Sequence, residues 1–225
     1  MELYHRAPTG ESNVQDDPKA REMLRRANER TYRWPKGFGG FSADLVCTQA
    51  GKISKGRVEI KSARDVQVIL DDDALQKWAE GQIGMMAIHR SARPFEEADG
   101  RFKLTLGEDD HHPLGQLILI HGDGMGSRYR VKEDRITQIN RNMEKIRFTI
   151  NVDGSLTTTD ARFLTTRYTV YYFIPADGRL INVESFSDNH EVVEEIYLLG
   201  TRRVSFAEDG QVITRTLNFK NHRLL

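Results

Sequence analysis

The densest group of side chains able to do chemistry is the run Glu108-Asp109-Asp110-His111-His112. Carboxylates and imidazoles at close spacing are the materials of a divalent-metal site or of general acid–base catalysis. On an extended backbone, however, neighbouring side chains point to opposite faces, so His111 and His112 would meet one ion only if the loop curled. A metal centre also needs three or four convergent ligands, and no second set stands at a recognisable spacing. The run therefore reads as a solvated acidic loop. No metal, no cofactor and no catalytic residue is assigned, and an enzyme using loop 108–112, metal-dependent or not, is kept as the alternative.

Other candidates reduce in the same way. His121 with Gly122, Gly124 and Gly126 follows a strand-like stretch as a phosphate loop would, but SRYRVKE behind it alternates like a strand and offers no helix N-terminus to an anion. It reads as a hairpin loop. Cys47 lies on the apolar phase of a strand, where a thiol packs as a small core side chain, and no G-x-S-x-G elbow is present. His89, Arg90 and Arg93 close a helical stretch, and a helix C-terminus favours cations. Their functional alternative is an anion or headgroup site at the mouth of a cavity. Arg128, Arg130, Arg141 and Arg147 read as a solvated basic stripe on the wet face of a sheet, paired across strands with intervening acids.

The elements that must carry these residues are mostly strands. Residues 114–152 read as four short strands joined by turns, and in the last of them Ile146, Phe148, Ile150 and Val152 alternate with Lys145, Arg147, Thr149 and Asn151. Such a sheet has one dry and one wet face. Before it, a helix begins at the caps Asp16 and Asp17 with Pro18 in its first turn and is expected to run to Tyr32, lying across a surface on a narrow apolar stripe. A hairpin over 41–62 and a strand near Val66–Leu70 follow. A second, more apolar helix, capped within Asp71–Asp73, carries Leu75, Trp78, Ala79, Ile83, Met85, Met86 and Ala87. Downstream come a strand with Phe102, Leu104 and Leu106, a long strand over 162–174, strands at 180–186 and 192–199, and a final hairpin around AEDG.

About a dozen strands linked by short turns cannot be parallel, because parallel neighbours need crossovers of a dozen or more residues. The expected fold is α+β and mainly β: one large curved antiparallel sheet, a half-open barrel, with two helices, one covering the concave face. Residues 1–15 are expected to form a loose tail and 16–225 a single domain.

Composition narrows the function. Lys and Arg together number 33 and so do Asp and Glu, leaving no net field to hold a polyphosphate, and nucleic acid is not an expected partner. No apolar run approaches the roughly 18 residues of a membrane-spanning helix. One cysteine forms no internal disulfide, and the opening MELYHRAPTGESN has neither the basic start nor the apolar core of a secretory signal, so a cytoplasmic location is the default expectation.

The segments GFGGFSADL, IHRSARPFEE, GEDDHHPLGQLI, SRYRV and LNFKNHRLL together resemble an uncharacterised bacterial family, the domain of unknown function numbered 3386, over nearly the whole chain after its first 15 residues. The layout also resembles the LolA-like lipoprotein-carrier architecture, a half-open antiparallel barrel with helices in its mouth. No catalytic residue follows from either resemblance. The leading expectation is a non-enzymatic protein that binds a hydrophobic or amphipathic small molecule between curved sheet and second helix. Trp78, Met85, Met86, His89, Arg90 and Phe148 are the candidate ligand contacts. A protein-interaction module using a sheet edge or the first helix is the third possibility, and nothing in the pattern sets an oligomeric state.

Overall fold

A computed structural model of the protein describes residues 14–225, and the expected tail lies, for residues 1–13, outside the described residues. Two helices, α1 (Pro18–Glu29) and α2 (Asp73–Arg90), accompany twelve strands. These are β1 (Phe41–Gln49), β2 (Lys52–Ser62), β3 (Asp65–Leu70), β4 (Lys103–Leu106), β5 (Gln116–His121), β6 (Arg128–Lys132), β7 (Arg135–Asn142), β8 (Arg147–Thr157), β9 (Phe163–Phe173), β10 (Leu180–Val193), β11 (Ile196–Glu208) and β12 (Gln211–Leu224). They form one sheet in the order β3-β2-β1-β12-β11-β10-β9-β8-β7-β6-β5-β4, with every neighbour antiparallel. The sheet does not close, and β3 and β4 are its two margins. This is the half-open antiparallel layout with helices in its mouth that the sequence implied.

Local chemistry explains most element boundaries. The Asp17 carboxylate accepts from the backbone N–H groups of Lys19 and Ala20, satisfying donors that a helix start leaves open, and Pro18 follows with its preset φ. Asp72 does the same for α2 through Leu75 N–H at 2.8 Å. Helix α1 ends at Glu29, short of the expected Tyr32, because the chain turns to make a parallel bridge between Thr31 and Phe163. Tyr32 and Trp34 then enter the core as part of an extended segment. The expected strand over 192–199 is instead split by a turn at Glu194 and Glu195, both left-handed at φ 47° and 70°. No Gly, Asn or Pro marks that turn, which is why alternation ran straight through it.

Strand registers slip at Ser42–Asp44, at Val152–Ser155 and at Asn189–His190, and such bulges increase local bend and twist. Gly56 lets β3 approach β2, since a Cβ there would stand 1.8 Å from the Ile69 carbonyl oxygen. The curved sheet is filled from both ends. Leu75, Ala79, Ile83, Met86 and Ala87 of α2 pack on Leu45, Cys47, Val58, Ile60, Leu217 and Phe219. Ala20, Leu24 and Ala27 of α1 pack on Leu104, Ile118, Ile120, Tyr129 and Val131. Each large apolar side chain so buried contributes roughly 1.5–3 kcal/mol. Helix α1, expected merely to lie across a surface, thus fills one half of the concavity itself. Among the described residues no helix is long and apolar enough to cross a membrane.

Candidate ligand-binding trough

Between the two filled ends lies the concave face of β8 to β11, where the helices make no main contact. Cross-strand pairing sets its floor in rows. Ile139, Ile150, Val170, Glu184 and Phe206 stand opposite one another in turn, and Arg141, Phe148 and Tyr172 form the next row. Tyr168 pairs with Phe186, their rings stacked 4.3 Å apart, and Phe186 pairs with Val204. Val170, Phe186 and Val204 are buried, whereas Phe148, Ile150, Tyr168, Tyr172 and Phe206 keep part of their surface open. Tyr172 donates to the Glu184 carboxylate at 3.0 Å. The floor is therefore aromatic and aliphatic, with few polar atoms.

One flank of α2 forms a wall. Trp78, Gln82, Met85 and His89 recur at i, i+4, i+7 and i+11 and so share a stripe of the helix. Trp78 packs against the floor cluster, and the Arg215 guanidinium lies over both its ring and that of Phe206, at 5.3 and 4.9 Å. The Gln82 carbonyl accepts from Arg202 Nη1 at 3.2 Å, which fixes this stripe toward the middle of the sheet. The two methionines named as candidate ligand contacts take different places. Met86 is buried in the α2 core, while Met85, about 100° away around the helix, is 54% exposed.

The polar end of the trough is assembled from distant parts of the chain. Arg202 and Asp188, direct partners across β11 and β10, form a two-bond buried pair at 2.9 and 2.7 Å. Arg33 donates to the Asn28 backbone and side-chain oxygens, Arg90 to the Thr165 carbonyl at 3.2 Å, and Arg141 to the Tyr129 hydroxyl at 2.8 Å. His89 is open to water at its own surface, yet protein surrounds it densely enough that burial pushes its pKa down to about 4, and Arg90, Arg141, Arg202 and Arg33 push the same way. Burial likewise brings Arg90 down to about 10, with Asp188 opposing, and raises the pKa of Asp99, which accepts from Tyr129. His190 is drawn down to about 4 by burial, and its Nδ1 is buried without a partner.

The acidic loop lies elsewhere. Asp110 makes two bonds to Arg130, at 2.9 and 2.6 Å, and that pairing holds its pKa down to about 2. His112 Nδ1 accepts from the Leu114 N–H, and His111 is almost fully exposed beside Asp109. Among the described residues no three His, Cys, Asp or Glu side chains converge as metal ligands would. Gly122, Gly124 and Gly126 all take positive φ in the hairpin loop between β5 and β6, and His121 pairs with Thr105 across β4 and β5. Cys47 is buried, which pushes its pKa up to about 11.

The four arginines assigned to one wet face divide. Arg130 serves the acidic loop, whereas Arg141 stands opposite Phe148 on the concave side. The signal was present in the sequence, for Arg141 is two residues beyond Ile139 and shares its phase. Alternation along 162–174 puts Tyr168 on the same side as Val170 and Tyr172, as found, whereas nothing in the pattern marks Arg33 or His190. Trp78 and Phe148 pack in the floor cluster, His89 and Met85 are exposed on the same stripe of α2 as Trp78, Arg90 donates to the Thr165 carbonyl of β9, and Met86 belongs to the packed core.

A half-open antiparallel barrel, packed at both ends and open over its middle strands, is the class of protein these features define. The chain belongs to the family of proteins of unknown function DUF3386, whose model matches residues 15–225. No curated protein matches the chain. Among solved structures it is similar to a domain described as an outer membrane lipoprotein-sorting protein from Vibrio parahaemolyticus, at 11% identity and a TM-score of 0.38, over 92% of each chain. It is also similar to MucB in its complex with MucA(peri), at 12% identity and a TM-score of 0.26, over 92% of this chain and 98% of that one. Both likenesses are distant.

Proposed function

We propose that the protein is a non-enzymatic binding protein that takes up a hydrophobic or amphipathic small molecule in the trough over β8 to β11. The observation that carries this reading is the partly open floor of Phe148, Ile150, Tyr168, Tyr172 and Phe206, flanked by Trp78, between two cores already filled by helices. A packed interior would leave such side chains no water to lose, and an ordinary outer surface would not gather them on one concave face. Covering the floor with an apolar ligand gains roughly 25 cal/mol per Å² of surface removed from water.

Native mass spectrometry tests the proposal. Protein mixed with a total lipid extract and desalted should carry one added small-molecule mass, and replacing Phe148 with Glu should abolish it. A clean unliganded mass for the parent chain after such exposure would overturn the reading.

A further inference from the structure

Arg33, Arg90 and Arg141 reach the polar end of the trough from three separate elements: the segment after α1, the last residue of α2, and β7. All three are only partly buried, and every hydrogen bond that they make goes to a neutral group: Asn28, Thr165, the Tyr129 hydroxyl and the Met125 sulfur. Among the described residues none of them has a carboxylate within 4.0 Å, whereas the neighbouring Arg202 is closed on Asp188. The cationic preference of a helix C-terminus explains Arg90 but not the other two. The Trp34 backbone N–H donates to the Arg90 carbonyl at 2.7 Å, which sets Arg33 beside the end of α2, and Arg33, Arg90 and Arg141 all act on the His89 ring; an anion entering there would be drawn by all three charges.

Resting on the ligand-binding reading above, we propose that Arg33, Arg90 and Arg141 beside His89 form an anion site for the acidic head, a carboxylate or phosphate ester, of an amphipathic ligand. Its apolar part lies along Phe148, Ile150 and Tyr172. The two halves adjoin directly, because Arg141 and Phe148 are cross-strand neighbours on the concave face. Charge supports the assignment. Arg33 and Arg141 share one acid at longer range, Asp99, whose hydrogen bond comes from Tyr129 and not from either guanidinium, and the side chains that act most on His89 are Arg90, Arg141, Arg202 and Arg33. Guanidinium groups also suit planar or tetrahedral oxyanions, to which they can donate two bonds at once.

Oleate, oleyl alcohol and inorganic phosphate are the probes, titrated calorimetrically into the full-length protein at pH 8. Oleate should bind roughly tenfold or more tightly than the alcohol, since charge-assisted hydrogen bonds are about twice as strong as neutral ones. Phosphate should compete with oleate but not with the alcohol. Arg141→Gln and, separately, Arg33→Gln should each weaken oleate far more than the alcohol, so that the ratio of the two affinities falls toward one. A purely structural arginine would instead change urea stability and both affinities together. Equal binding of oleate and alcohol overturns the anion site but leaves the trough as a ligand site. Binding of neither lipid overturns both, and phosphate binding without lipid binding assigns a free-anion site and overturns the amphipathic ligand.

Discussion

Asp188→Ala should be the most damaging single side-chain truncation near the trough. The Asp188 and Arg202 side chains are 1% and 5% exposed, and the carboxylate takes two short bonds from the guanidinium while directly opposite it across β10 and β11. Arg202 also donates to the Gln82 carbonyl, so the same guanidinium ties α2 to the sheet. Removing the carboxylate strands a charge that arginine cannot shed, and breaking a buried pair from one side costs about 3–5 kcal/mol. Domains commonly hold only about 5–15 kcal/mol in total, so the loss would be a large fraction of stability. Replacing both partners with apolar residues of similar size, Asp188→Leu with Arg202→Met, removes the stranded charge and should recover most of the loss. Urea unfolding followed by far-ultraviolet circular dichroism and by tryptophan fluorescence measures all variants, and the double-mutant cycle isolates the coupling. A single-variant cost under about 1 kcal/mol, or a double variant no more stable than its parents, would refute the reasoning.

Stability should also fall on acidification between pH 6.5 and 4. His190 has a folded pKa of about 4 against 6.5 for the free side chain, so the unfolded chain takes up the proton first; its contribution is intact above pH 6.5 and is lost as pH falls toward 4. The swing amounts to about 3 kcal/mol at most, and His190→Gln should flatten the slope of urea stability over that window; an unchanged slope would show that burial, with Arg90 and Arg202, does not hold the ring neutral against the pull of Asp188. Cys47, with its pKa near 11, should react with a disulfide reagent at pH 8 about a hundredfold more slowly than in the urea-unfolded chain, and equal rates would place the thiol at the surface.

The strands were legible because one face of each is dry: Phe148, Ile150 and Val170 sit where period-two alternation puts them. Both helix starts were legible too, since Asp17 and Asp72 are caps whose carboxylates find backbone donors three or fewer residues away. The turn at Glu194–Glu195 was not, because nothing in two glutamates marks a left-handed backbone. Nor was the depth to which α1 packs: Ala20, Leu24 and Ala27 make a narrow stripe, and only the partner surface of Leu104, Ile118 and Val131 shows that a narrow stripe is enough. The polar end of the trough escaped for a related reason. His89 and Arg90 stood out by adjacency, but Arg33 and Arg141 lie far away along the chain, and only tertiary packing brings them to the same place.

The pairing of β1 with β12 carries a consequence for how the molecule is made. Residues 41–70 build a three-stranded ribbon whose sheet neighbour, among the described residues, is β12, Gln211–Leu224. During vectorial synthesis that ribbon, with α2 seated on it, must wait through some 140 further residues before its seam can be sewn. From β4 to β12 each strand pairs with its neighbour along the chain, whereas this junction closes a far longer loop and is the fold's slowest commitment.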